Sequence, residues 1–243
     1  MRLTSLMYAF DERQSGLIFP WILGSMGLHM RNSKTSHFTN RGSHFGNEWR
    51  VFSHKAKEHL TLFSDIELCY WLLFLEFDRS VHSFSLHPPA RMVLNPSPRK
   101  LHLTAELMLK NGELEWHLLC GSNQVESGAT ADASALALKN DVRLKIFTPE
   151  VMVPVKYKIC SLLKAAACLS AGKHYTLPPT LMSNLHYYLG QKQQGSLGSL
   201  IDYFQDYDVS LVLYGVVRLF AEGILDVEIA PYFFSRCTRW TRI

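Results

Sequence analysis

The sequence has little charge and lacks the long apolar runs that mark a membrane protein. Charged side chains make up 19% of the 243 residues, and the formal net charge is only +4. So small a surplus is compatible with nucleic-acid binding but does not predict it. Hydrophobic residues make up 47%, which argues against extensive disorder. The length suffices for one large domain or two small ones with a sizeable core.

The five cysteines do not predict a disulfide framework or a zinc site. Their number is odd, and no two of them are spaced as C-x-x-C. No secretory signal is evident, and the apolar runs are interrupted by Glu76, Asp78 or Arg218 before they reach the roughly 20 residues that span a bilayer. We therefore expect reduced thiols in a soluble, cytoplasmic protein.

Residues 1–50 lack a clear hydrophobic period and carry a surplus of basic side chains. This pattern predicts an N-terminal basic arm, in which Arg31, Lys34, Arg41 and Arg50 are candidate DNA contacts. Basic segments gain affinity for DNA by neutralising phosphates and releasing counterions. The alternative is an ordinary surface segment. The histidines of this region lack metal-ligand spacing.

Residues 51–148 predict an α/β domain with a mixed sheet. Apolar residues from Ser64 onward recur with helical spacing, and Ser64 followed by Glu67 has the pattern of a capping box. Glu67 therefore has a structural explanation as a capping residue. Strands are predicted over 81–86, 91–94, 100–104, 106–110, 114–120 and 142–147, with a helix over 131–140. Asn111-Gly112 is the strongest turn signal.

Residues 149–243 predict a mostly helical, winged-helix-like domain. Helices are expected over 155–171, 179–190, 196–204 and 209–222, and a strand follows the last one. The last helix is almost entirely apolar, and Arg218 alone among its central residues could reach a phosphate. This composition favours binding to protein over reading of a major groove. Arg236, Arg239 and Arg242 are candidate DNA contacts, with a solvated terminus as the alternative.

Several segments resemble the TnsA family, the endonuclease subunit of heteromeric, Tn-seven-like transposases. They are S-D-I-E at 64–67, L-E-F-D-R-S-V-H-S-F at 75–84, H-P-P at 87–89, I-F-T at 146–148, S-L-G-S-L at 196–200 and L-F-A-E-G-I-L-D at 219–226. The resemblance covers about residues 45–235. It implies an N-terminal domain of the restriction-endonuclease type and a winged-helix-like C-terminal domain.

The resemblance also implies a site. In the family a helix glutamate and a strand aspartate hold Mg²⁺, and a lysine two residues after a third acidic or amide position steadies the attacking water. Glu67 matches the helix glutamate, and Glu106 stands in place of the aspartate. Leu118 and Cys120 stand where the acid or amide and the lysine are expected. Leucine offers no donor atom, and a thiol is a poor ligand for a hard cation.

The implied function is that of a TnsA-like subunit whose 5′-strand nuclease activity is impaired. It would work with a DDE-type transposase and an AAA+ regulator at transposon-end DNA, in a structural role. Two alternatives remain open. One is an active endonuclease that uses Mg²⁺ and a variant site, for which a shifted alignment offers Glu115 and His117. The other is a stand-alone DNA-binding regulatory protein.

Overall fold

A computed structural model describes residues 47–93, 98–120, 128–229 and 233–243 of the protein. The predicted α/β class with a mixed sheet is confirmed. The N-terminal half contains, in chain order, β1 (Trp49–Ser53), β2 (Glu58–Leu62), α1 (Asp65–Tyr70, continued by a π-helical segment Trp71–Glu76), β3 (Val81–Leu86), β4 (Arg91–Val93), β5 (Arg99–Leu101), β6 (Ala105–Leu109), β7 (Leu114–Leu119), α2 (Gly128–Lys139) and β8 (Arg143–Phe147).

The central sheet has the strand order β3-β6-β7-β8. The first three strands are antiparallel, and β8 runs parallel to β7 because the chain crosses over through α2. The predicted turn at Asn111-Gly112 joins β6 to β7, and Gly112 supplies the positive φ of 85° that this turn requires.

The two faces of this sheet carry different apolar clusters. Ala105 and Leu107 of β6 face α1 and belong to a large core that continues into the C-terminal helices. Trp116 and Leu118 of β7 face α2 and pack against its Ala133. Successive strand residues point to opposite faces, so each strand contributes to both clusters.

The C-terminal half is mostly helical, as predicted. It contains α3 (Pro149–Met152), a 3₁₀ segment (Val153–Lys158), α4 (Ile159–Gly172), α5 (Pro179–Lys192), β9 (Gln194–Ser196), α6 (Leu197–Tyr203), α7 (Val209–Ala221), β10 (Leu225–Val227) and β11 (Arg239–Arg242). The helix expected from residue 155 begins at Ile159. Pro154 lies in the preceding 3₁₀ turn, where a residue without an N–H cannot continue an α-helical ladder.

Helix α7 connects the two halves. Ten of its thirteen residues are buried, and Tyr214 packs so closely on α4 that a Cβ at Gly172 would lie 2.3 Å from its ring. At the far end of α7, Phe220 stacks on Phe77, with ring centroids 5.2 Å apart. These contacts fix α7 between α4 and the N-terminal half.

A polar cluster lies beside this apolar junction. Glu222, which follows α7, accepts a hydrogen bond of 2.8 Å from Arg218 and lies 3.2 Å from His54 in the β1–β2 turn. Burial by itself raises the pKa of the Glu222 carboxyl, but the bonds to His54 and Arg218 outweigh it and lower the pKa to about 2. Glu222 therefore stabilises the junction as an anion.

Among the described residues, no helix is long and apolar enough to cross a membrane.

We predict that Glu222→Gln lowers the free energy of unfolding by about 1 kcal/mol at pH 7, because a partly solvated charged hydrogen bond is lost. A carboxyl whose pKa is depressed by folding stabilises fully above its unfolded value of about 4.3. This contribution is lost as the pH falls toward 2, so the difference in free energy of unfolding between wild type and variant shrinks between pH 5 and pH 3.

Urea unfolding of both proteins at several pH values measures this difference. Glu228→Gln, at an exposed position, is the control. A cost independent of pH would contradict the prediction.

Candidate functional site

Glu67 lies at the start of α1, where the predicted N-cap is confirmed. The Ser64 hydroxyl accepts a hydrogen bond of 3.1 Å from the Glu67 amide. The Glu67 carboxylate in turn accepts a hydrogen bond of 2.6 Å from the Phe63 amide. In a standard capping box the donor would be the amide of Ser64, one residue later. The other carboxylate oxygen of Glu67 lies 2.6 Å from Nε2 of His87. Both carboxylate oxygens of this buried side chain are therefore engaged within the protein.

His87 directly follows the edge strand β3 and contacts Glu67 from the solvent side. Its φ of 50° is in the left-handed region, and its amide donates to the Thr104 carbonyl at 2.8 Å. The imidazole remains half-exposed beside the Phe63 ring. A non-glycine residue in this conformation is held by its surroundings. Here the backbone bond and the Glu67 contact hold it.

Glu106 lies on β6 and points to the α2 side of the sheet, directly opposite Trp116 on β7. Its carboxylate accepts a hydrogen bond of 2.6 Å from Arg91. The Arg91 guanidinium also lies 4.2 Å from the centroid of the Trp116 ring. The carboxylate is thus neutralised by a cation that Trp116 helps to position.

The two candidate carboxylates do not form a metal site in this structure. Helix α1, which carries Glu67, packs on the face of Ala105 and Leu107, whereas Glu106 faces away from it. The described residues hold no group of three or more His, Cys, Asp or Glu placed to bind a metal ion. Mg²⁺ needs several free oxygen ligands, and Glu67 and Glu106 are occupied by other partners. The donor set does not fit Mg²⁺.

Leu118 and Cys120 are both buried in the cluster under α2, together with Leu101 and Leu103. Burial raises the pKa of the Cys120 thiol, so this group stays neutral at neutral pH. The two positions where the resemblance implies an acid or amide and a lysine therefore lie in an apolar cluster.

The shifted alternative, Glu115 and His117, lies on the α1 face of β7 and forms a buried network. Tyr70 of α1 bonds Nδ1 of His117 at 2.7 Å, and Nε2 of His117 bonds Glu115 at 2.7 Å. Lys145 on β8 reaches the same Glu115 oxygen at 2.9 Å. Burial lowers the pKa of His117 despite the Glu115 contact, and burial raises that of Tyr70 well above its usual value.

These shifts specify one pattern of protons in the network. Neutral His117 donates through Nε2–H to the Glu115 carboxylate, and its Nδ1 accepts from the Tyr70 hydroxyl. Phe147 covers the imidazole with ring centroids 4.6 Å apart, and His117 is only 2% exposed. The arrangement stabilises the packing of α1 on the sheet and leaves His117 without solvent contact.

The candidate DNA contacts are dispersed. Arg31, Lys34 and Arg41 lie outside the described residues. Arg50 is an exposed residue of β1, 3.6 Å from Glu48. At the other end of the chain, Arg236 bonds both oxygens of Asp202 at 2.6 and 2.7 Å.

The other two candidate arginines of the C-terminal segment, for which a solvated terminus was the alternative, lie on strand β11. Arg239 and Arg242 are exposed on β11, whose Trp240 is buried in the core. Burial of this indole holds the strand in place.

Sequence reasoning missed the residues that occupy the carboxylates. In the sequence His87 stands out only as part of H-P-P, and nothing in the local pattern links Arg91 to Glu106, fifteen residues away. Tyr70 resembled any other apolar helix residue. The available signal was a histidine at a strand end, before two prolines.

We predict that Tyr70→Phe lowers the free energy of unfolding by about 1–2 kcal/mol, because Nδ1 of His117 is left buried without a donor. Chemical denaturation at pH 7.5 measures the change. Tyr157→Phe is the control, since that side chain is exposed. Equal costs for the two variants would show that the Tyr70 hydroxyl contributes nothing specific.

No protein-family model matches the chain, and a search of curated proteins also finds no match.

Proposed function

We propose that the chain is a TnsA-like subunit of a DNA transposition machinery that supports assembly and does not cut the 5′ strand itself. It cooperates with a DDE-type transposase and an AAA+ regulator at transposon-end DNA. The observation that carries this proposal is the burial of Leu118 and Cys120 under α2, beside a Glu106 that Arg91 already neutralises.

The order of elements supports the nuclease-like part of the proposal. A helix, three antiparallel strands, a crossover helix and a fourth, parallel strand follow one another from α1 to β8. This is the order that resemblance to a restriction-endonuclease-like domain implies. Glu67 keeps its place at the start of the first helix, but its bonds to Phe63 and His87 explain it as a structural group.

The C-terminal half supports a winged-helix-like arrangement that contacts protein. Helix α5, strand β9, helices α6 and α7, and strands β10 and β11 occur in winged-helix order, with a sheet ordered β10-β11-β9. In such domains the third helix enters the major groove. Here that helix is α7, and its burial against α4 and Phe77 leaves little of its surface to face DNA.

Without a bound metal and the lysine, most of the rate acceleration expected of the nuclease site is absent. Removing one electrostatic element from a site of this kind costs about 10²–10³ in rate. The DDE-type partner then makes the strand cuts on its own, and the products tend toward cointegrates in which the 5′ ends stay joined to the donor.

The test reconstitutes transposition from the full chain, the transposase and the regulator of the same element. We expect products only when the chain is present, no 5′-strand nick in Mg²⁺ or Mn²⁺, and unchanged product yield with Glu67→Gln. This variant keeps an oxygen that can accept the Phe63 amide. Strand-specific end labels measure the nick. A metal-dependent nick that Glu67→Gln abolishes would establish the active endonuclease, and products without the chain would refute the assembly role.

A further inference from the structure

Two large apolar side chains at the start of α1 are exposed to solvent. Phe63 is 53% exposed and Ile66 is 43% exposed, on either side of the N-cap Ser64. Helix α3, which packs against α1, carries a third exposed apolar side chain, Val151. A single exposed apolar residue is ordinary, whereas neighbouring ones are typical of a surface that another segment covers.

The protein fixes the position of Phe63 although its ring is exposed. The backbone amide of Phe63 donates to Glu67 at 2.6 Å, and the ring lies against the His87 imidazole with centroids 5.8 Å apart. A side chain whose surroundings are already fixed loses less conformational entropy when a partner covers it. Phe63 is therefore suited to anchor an apolar segment.

The part of the chain that precedes the described residues joins the fold at this surface. Asn47 is the first described residue, and its side-chain amide donates to both oxygens of Asp65 at 3.0 and 3.2 Å. The Trp49 indole donates to the same carboxylate at 2.8 Å. Asp65 directly precedes Ile66 in α1. Residues 1–46 are thus connected to the fold beside the exposed pair.

Residues 1–46 contain one segment whose composition matches this surface. Residues 17–23 read L-I-F-P-W-I-L, the longest apolar run in this part of the sequence, and no Asp, Glu, Lys or Arg occurs between Arg13 and Arg31. Residues 24–46 link the run to Asn47. An extended chain spans about 3.3–3.6 Å per residue, so this linker is long enough for the run to return to α1.

We propose that residues 17–23 dock over Phe63 and Ile66 and cover the start of α1 within the same chain. The contact removes apolar surface of both partners from water, which is the main favourable contribution to such an association. Tethering favours this occupant over the same segment of a second copy, because a linked segment has a local concentration of about millimolar. The inference does not depend on the proposed function.

The test replaces Trp21 in the full chain with the photoreactive residue p-benzoylphenylalanine and maps the cross-links by mass spectrometry. We expect cross-links to residues 60–70 in a product of monomer mass, with a yield that does not change with protein concentration. Ile66→Glu in the same chain lowers this yield about fivefold or more, because docking would then desolvate a carboxylate.

The matched control is Val209→Glu, with an expected yield within twofold of the unchanged chain. Val209 is also 43% exposed and also lies in the first turn of a helix, where an acid is equally favourable. Thermal unfolding of both variants checks the fold. If Ile66→Glu does not fold, the cross-link map of the chain that retains Ile66 still decides the proposal.

Three results would overturn the proposal. Cross-links outside the start of α1, or no cross-links, would show that the segment does not dock there. A product of dimer mass would assign the surface to the segment of a second copy. Equal losses of yield in Ile66→Glu and Val209→Glu would show that Ile66 contributes nothing specific to the contact.

Discussion

The N-terminal half depends on one constraint: a carboxylate taken out of water must be paired with a donor or a cation. Four glutamates have such partners, each in its own way, although Oε2 of Glu115 is buried without a hydrogen bond. Glu67 uses the Phe63 amide and His87, and Glu106 uses Arg91. Glu115 uses His117 and Lys145, and Glu76 accepts from the Ser53 hydroxyl at 2.6 Å and from the His54 amide at 2.8 Å. The contact of Glu67 with His87 ties α1 to the end of β3, and the bonds of Glu76 tie the β1–β2 turn to the helical segment that continues α1.

This constraint also determines what the site can do. A catalytic carboxylate keeps oxygens free for a metal, whereas both oxygens of Glu67 are bound to protein donors. The pairing also determines which partner meets solvent, because Glu67 and Asp132 are less exposed than His87 and Arg99.

Local patterns predicted much of the fold but little of the site's bonding. Period-2 and helical spacing placed β3, the β6–β7 hairpin and α7 within a few residues, because each depends on nearby side chains. The pairings of Glu106 with Arg91 and of Tyr70 with His117 join residues 15 and 47 positions apart. Only the strand register and the packing of α1 bring them together. The direction of Glu106 away from α1 likewise follows from the pleat, which a motif alignment does not contain.

Leu118 and Cys120, which the resemblance aligns with an acid or amide and a lysine, are part of the core. A lysine at position 120 would place an ammonium among Leu101, Leu103 and Ala133, where an unpaired charge is costly and shifts its pKa to become neutral. An acid at position 118 would meet the same surroundings. A metal site that includes Glu106 would also require its release from Arg91, which would leave the guanidinium without its carboxylate partner beside Trp116. A nuclease site here would therefore need several simultaneous substitutions, each of which would destabilise the fold on its own. The packing of this cluster supports the proposed structural role.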